Sequence, residues 1–92
     1  MASETVLDVK GLACPLPVLR ANKALRGLAA GDRLRVLATD PASASDMRAY
    51  CRTSGHALLS VSEKDGVLSF LIQKRVKQEA GAEDGGQDRG GQ

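Results

Sequence analysis

Two side chains in this 92-residue chain are nucleophiles by type, Cys14 and Cys51. Cys14 stands in Cys14-Pro15-Leu16-Pro17, after a short strand-like run and before an amphipathic helical run. A thiol at a helix start faces free backbone N–H groups and the positive end of the macrodipole, which stabilise a thiolate. Pro15 suits the first helical position, because its φ is preset and no N–H is needed there. Cys14 then falls at the cap. Pro15 and Pro17 remove two of the four orphan donors of that turn, and the Leu16 N–H is left. That N–H is one a cap side chain commonly accepts from. The expectation is a thiolate held by Leu16 N–H on a rigid turn shaped by Pro15, Leu16 and Pro17. Its pKa should lie below the ordinary thiol value of about 8.5. This describes a nucleophilic or carrier sulfur better than a core cysteine.

The other candidates are weaker. Cys51 stands at helical spacing from Met47 and Ala44, so a small core side chain is the first reading and a resolving thiol the second. Arg20, Lys23 and Arg26 share one helix face. Such a stripe is either a solvated face or, since Arg20 and Lys23 lie within about two turns of Cys14, a partner-docking surface. Asp40 reads as a helix cap. Asp46 and Arg48 read as exposed helix charges, and His56 as a surface histidine after Gly55. No second ligand stands near His56, so no metal site is expected. No phosphate-cradling glycine loop and no paired carboxylates for acid–base work stand out. No cofactor is expected.

The elements that must position these residues follow from periodicity. Thr5–Val9 is a strand with Leu7 and Val9 on one side. A helix is expected from Pro15 to about Leu28, where Val18, Ala21, Leu25 and Leu28 recur at helical spacing. Arg33–Thr39 alternates, with Leu34, Val36 and Ala38 facing one way. Asp40-Pro41 has the form of a cap followed by a first-turn proline, and the helix it opens ends at Gly55. Ala57–Ser62 and Val67–Gln73 are strands joined by Asp65-Gly66, a strong hairpin signal. The order is β-α-β-α-β-β. A parallel first crossover and an antiparallel last pair predict an α/β two-layer sandwich, a mixed four-stranded sheet with two helices on one face.

Composition bounds the rest. The chain is one small domain, too short for a deep substrate cavity or a large cofactor. A folded domain over residues 1–77 is expected. Residues 78–92 are Gly- and acid-rich without a large apolar side chain, and are expected to be a disordered tail. Through Lys74, ten Lys/Arg face seven Asp/Glu, a mildly basic balance. Aromatics make up only 2% and Trp is absent, which leaves little for base stacking, so no direct nucleic-acid binding is expected. No run is long enough to span a bilayer. The N-terminus lacks a secretory pattern. Two cysteines make neither a CxxC pair nor a metal-finger spacing, so a reducing cytoplasm is the default.

Taken together, the chain resembles the TusA family of small sulfur carriers, the SirA-like group. The resemblance rests on Leu7-Asp8, Gly11-Leu12, the Cys14-Pro15-Leu16-Pro17 box, Arg20, Lys23, Gly31, Asp40-Pro41, Asp46, Cys51, Gly55-His56 and the strand ending at Lys74. It implies a cofactor-free sulfurtransferase that relays sulfane sulfur as a persulfide on Cys14. The implied donor is a cysteine desulfurase or a rhodanese-type protein, and the implied acceptor another sulfur-relay protein. The destinations implied are 2-thiouridine in tRNA, sulfur oxidation or molybdenum-cofactor assembly, and the box does not choose among them. The rival reading is a protein-interaction or redox-regulatory module without sulfur transfer.

Overall fold

The computed structural model describes residues 4–76. In chain order the elements are β1 (Glu4–Asp8), α1 (Leu16–Arg26), β2 (Arg33–Ala38), α2 (Ser43–Ser54), β3 (Ala57–Lys64) and β4 (Val67–Gln73). The strands form one sheet in the order β1-β2-β4-β3. β1 runs parallel to β2, and β4 is antiparallel to both its neighbours. Parallel pairing needs a crossover, and α1 supplies it.

Alternation in β2 sends Leu34, Val36 and Ala38 into the core, where each is fully buried. Their register partners on β4 are Ile72, Phe70 and Leu68. Phe70 is the largest fully buried side chain, and its burial contributes about 2–3 kcal/mol. Both helices close on this one face. α1 buries Pro17, Ala21 and Leu25, and α2 buries Ser43, Met47 and Cys51. The expected mixed sheet with two helices on one face is therefore the fold. Asp65 (φ 53°) and Gly66 (φ 81°) both occupy the left-handed region, as a two-residue hairpin turn requires.

Both helix starts differ from expectation. α1 begins at Leu16 with Pro15 at the cap, so Cys14 is not the capping residue. The reason is local: the Leu16 N–H donates to the Ala13 carbonyl at 2.9 Å, closing a turn that contains Cys14. α2 begins at Ser43 rather than at Pro41. Asp40 folds its own turn first, accepting from Ala42 N–H on Oδ1 (3.0 Å) and from Ser43 N–H on its carbonyl (2.9 Å). α1 also ends earlier than expected, at Arg26, through i→i−3 bonds from Gly27 and Leu28. β3 runs on to Lys64 with an irregularity between Leu58 and Ser60. The expected tail over 78–92 lies outside the described residues. No described helix is long and apolar enough to cross a membrane.

Candidate functional site

The site lies where the parallel pair ends. Past β1 the chain stays tied to the segment leaving β2, through three successive rungs. Val9 N–H donates to the Leu37 carbonyl at 2.8 Å. Gly11 N–H donates to Thr39 Oγ1 at 2.9 Å. Cys14 N–H donates to Asp40 Oδ2 at 2.7 Å. The first rung is backbone, and the next two are side chains that take over once the strands diverge. Gly11 makes the bend between them at φ 85°, a conformation a side chain would strain.

Cys14 is held by its backbone on an exposed loop, and its thiol is exposed and in no disulfide. Its Sγ hydrogen-bonds Asp46 Oδ2, contributed by the first turn of α2. That geometry overturns the expectation of a helix-stabilised thiolate. The Leu16 N–H is spent on Ala13, and the sulfur's neighbour is a carboxylate. The Cys14 thiol is pushed above its ordinary value, chiefly by the hydrogen bond to Asp46, with desolvation and the charges of Asp46 and Asp40 adding to it. Asp40 moves the other way. The N–H groups of Cys14 and Ala42 hold its carboxyl below the usual range.

Beside the sulfur, α1 and α2 enclose an open groove of about 420 Å³, lined by Cys14, Pro15, Val18, Asp46, Ala49, Tyr50 and Thr53. Tyr50 ties its two walls together, donating to Asn22 Oδ1 at 3.0 Å. The groove is shallow, open to solvent and mainly apolar, not a deep cavity. Leu16 and Leu19 add exposed apolar surface at the start of α1, at 41% and 55% exposure.

Of the residues singled out in the sequence, Cys14, Pro15, Leu16 and Pro17 do form the site loop and its helix start. Pro17 is buried and anchors that start in the core. Arg20 and Lys23 are exposed on α1, and no described acid lies within ion-pair distance of either. Cys51 is 4% exposed in the core, and burial pushes its thiol up. His56 stands elsewhere, its Nδ1 accepting from Arg75 N–H at 3.0 Å. Among the described residues no cluster of three or more His, Cys, Asp or Glu could hold a metal ion. Sequence reasoning did not single out Thr39 or Tyr50, read Asp46 only as an exposed helix charge, and gave Asp40 the helix cap instead of the Cys14 loop. One signal could have found the acids: a parallel β1–β2 pair puts both following loops at the same end of the sheet.

Comparison with known proteins bears on the family and the fold. Residues 5–74 match the family described as sulfurtransferase TusA. A Neisseria meningitidis protein with a provisional sulfur-carrier name is 55% identical over 82% of this chain and 100% of its own length. The sulfur carrier protein TusA of Allochromatium vinosum is 46% identical over 74% of this chain and 90% of its own. The crystal structure of a SirA-like protein from Desulfitobacterium hafniense superposes with a TM-score of 0.70 at 32% identity, covering 78% of this chain and 99% of that one. An exposed cysteine fastened at the end of a parallel strand pair, on this fold and with these relatives, places the chain in the TusA family of sulfur carriers.

Proposed function

We propose that the protein relays sulfane sulfur as a persulfide on Cys14, receiving it from one protein and passing it to another. The observation that carries this reading is the Cys14 loop itself. Its backbone is clamped by Asp40, while its thiol is exposed at the mouth of a groove. A core cysteine such as Cys51 offers a partner nothing to reach. In the transfer, Cys14 Sγ bonds the terminal sulfur of a donor persulfide and the donor's S–S bond breaks. The donor leaves as a thiolate, and Cys14–S–SH remains. The next thiol repeats the step on Cys14. No cofactor takes part, and the reaction is a sulfurtransferase reaction in which the protein is a stoichiometric carrier.

The donor class this reading calls for is a cysteine desulfurase or a rhodanese-type protein, and the acceptor is another sulfur-relay protein. The docking surface we assign is the outer face of α1. Leu16 and Leu19 supply exposed apolar contact beside the thiol, and Arg20 and Lys23 supply positive charge for an acidic partner. tRNA thiolation and sulfur metabolism are the destinations consistent with the family.

The test is intact mass after incubation with a cysteine desulfurase and cysteine. The protein should gain mass in whole sulfur atoms, lose it to reductant, and gain nothing as Cys14→Ser. A protein that gains no sulfur from such donors is the redox or interaction module of the rival reading.

A further inference from the structure

Among the described residues, the Asp46 side chain has one hydrogen-bond partner, the Cys14 sulfur. Asp46 is the one acid in the first turn of α2. It pairs with no described Lys or Arg and receives no described backbone N–H. Its contact is Cys14 Sγ. A carboxylate beside a nucleophilic thiol is a poor way to obtain a thiolate, because like charge opposes ionisation. It is a suitable way to hold the thiol's proton at a known position until the reaction needs it moved.

Resting on the persulfide reading above, we propose that Asp46 is the proton acceptor and donor of Cys14. Its carboxylate takes the Cys14 proton as sulfur arrives and returns it to Sγ as sulfur leaves. The bookkeeping closes in both directions. On loading, Sγ bonds the donor's terminal sulfur, the donor's S–S bond breaks, the electron pair departs on the donor thiolate, and the Cys14 proton rests on Asp46. On unloading, an acceptor thiolate bonds the terminal sulfur and the Sγ–S bond breaks. The electron pair returns to Sγ, and Asp46 gives the proton back. No external oxidant or reductant enters.

The groove supplies the condition for this. Asp46 shares it with Pro15, Val18, Ala49 and the Tyr50 ring. A partner seated over Cys14 covers Asp46 as well and takes water from it. With water excluded, the proton passes between this carboxylate and the sulfur rather than to solvent. The charged groups facing the sulfur are Asp46 from α2 and Asp40 from the loop after β2. Asp40 is committed to the N–H groups of Cys14 and Ala42, which leaves Asp46 as the carboxylate free to exchange a proton. Tyr50, the remaining titratable group in the groove, donates its hydroxyl proton to Asn22.

Asp46→Asn separates this role from its alternatives, because it predicts opposite changes in two rates. The amide still accepts a hydrogen bond but carries no charge and holds no proton. Alkylation of free Cys14 by iodoacetamide needs only thiolate, so it should become faster at neutral pH and its midpoint should fall. Sulfur handover from loaded Cys14 to a partner thiol needs the proton, so it should slow by roughly a hundredfold, the lower end of what a positioned acid–base group supplies. Asp46→Glu should restore part of the handover rate. Handover that speeds up together with alkylation would mean Asp46 acts only as a charge, and the proposal falls. Both rates unchanged would mean the contact is incidental, and it falls again. Wild-type protein that takes no sulfur from a desulfurase removes the persulfide reading first and this proposal with it. Wild type that loads while Asp46→Asn hands over sulfur normally removes this proposal alone.

Discussion

Replacing Cys51 with serine is the sharpest test of the division of labour between the two thiols. Cys51 is 4% exposed and shares the inner face of α2 with Met47. Serine puts a hydroxyl where an apolar sulfur was. Burying a hydroxyl with incomplete hydrogen bonding costs about 1–3 kcal/mol in proteins. Within a helix its nearest acceptor is the carbonyl one turn back, which offsets part of that cost. The expected loss is therefore about 1–2 kcal/mol. For a domain of this size that lowers the melting temperature by about 4–16 °C. Cys51→Ala, which adds no polar group, should cost less. Cys14→Ser changes an exposed side chain and should leave the melt where it is. The assay pairs thermal melts followed by circular dichroism with intact mass after desulfurase treatment. Cys51→Ser should melt lower yet still load sulfur, and Cys14→Ser should melt normally and load none. A folded Cys51→Ser protein that no longer loads would refute the reasoning and require both thiols in the mechanism. An unchanged melt would refute the placement of Cys51 in the core.

Other outcomes follow from the same geometry. Lys23→Glu should slow transfer with an acidic partner at low salt and weaken its salt dependence, with the melt unchanged; equal rates in stopped-flow assays would make the stripe plain solvated surface. Gly11→Ala places a side chain at φ 85° and should disturb the loop more than the fold, seen as altered Cys14 alkylation with a modest drop in melting temperature. His56 is held below the ordinary histidine value of 6.5 by burial and by Arg75 and Lys74. Its neutral form is therefore the one folding favours. The stability this gives is complete above pH 6.5 and is lost as pH falls from there toward the folded value, so His56→Gln should flatten the pH dependence of the melt in that window. Ending the chain after Lys77 should change neither melt nor loading, because the residues removed carry no large apolar side chain.

How legible these features were depends on the distance over which they are decided. β2 and β4 were legible because alternation over a few residues fixes which face is buried, and Leu34, Val36, Phe70 and Ile72 all lie in the core. The hairpin was legible because Asp65-Gly66 has turn chemistry of its own. Cys14 was legible for the same reason, through its prolines. Its electrostatics were not. The expected partner, Leu16 N–H, is lost to a four-residue turn, and the actual one, Asp46, lies 32 positions away. Helical periodicity assigns Asp46 to the solvent side, which holds for its own helix. It fails only because the loop after β1 comes to rest against that side. The start of α2 was misplaced because Asp40 prefers a turn of its own to the cap.

The rungs that extend the β1–β2 pair into the Cys14 loop also set when, in the life of a polypeptide, this cysteine becomes special. Cys14 and its clamp Asp40 are 26 positions apart, and Cys14 and Asp46 are 32. Neither contact forms until that length of chain has been made and its ends have met, a closure opposed by chain entropy. During synthesis Cys14 therefore leaves the ribosome as an unremarkable thiol, with no neighbour to hold its proton and no groove beside it. It gains both together, when α2 packs beside α1. A protein stalled before that step would display the motif in full and lack the site.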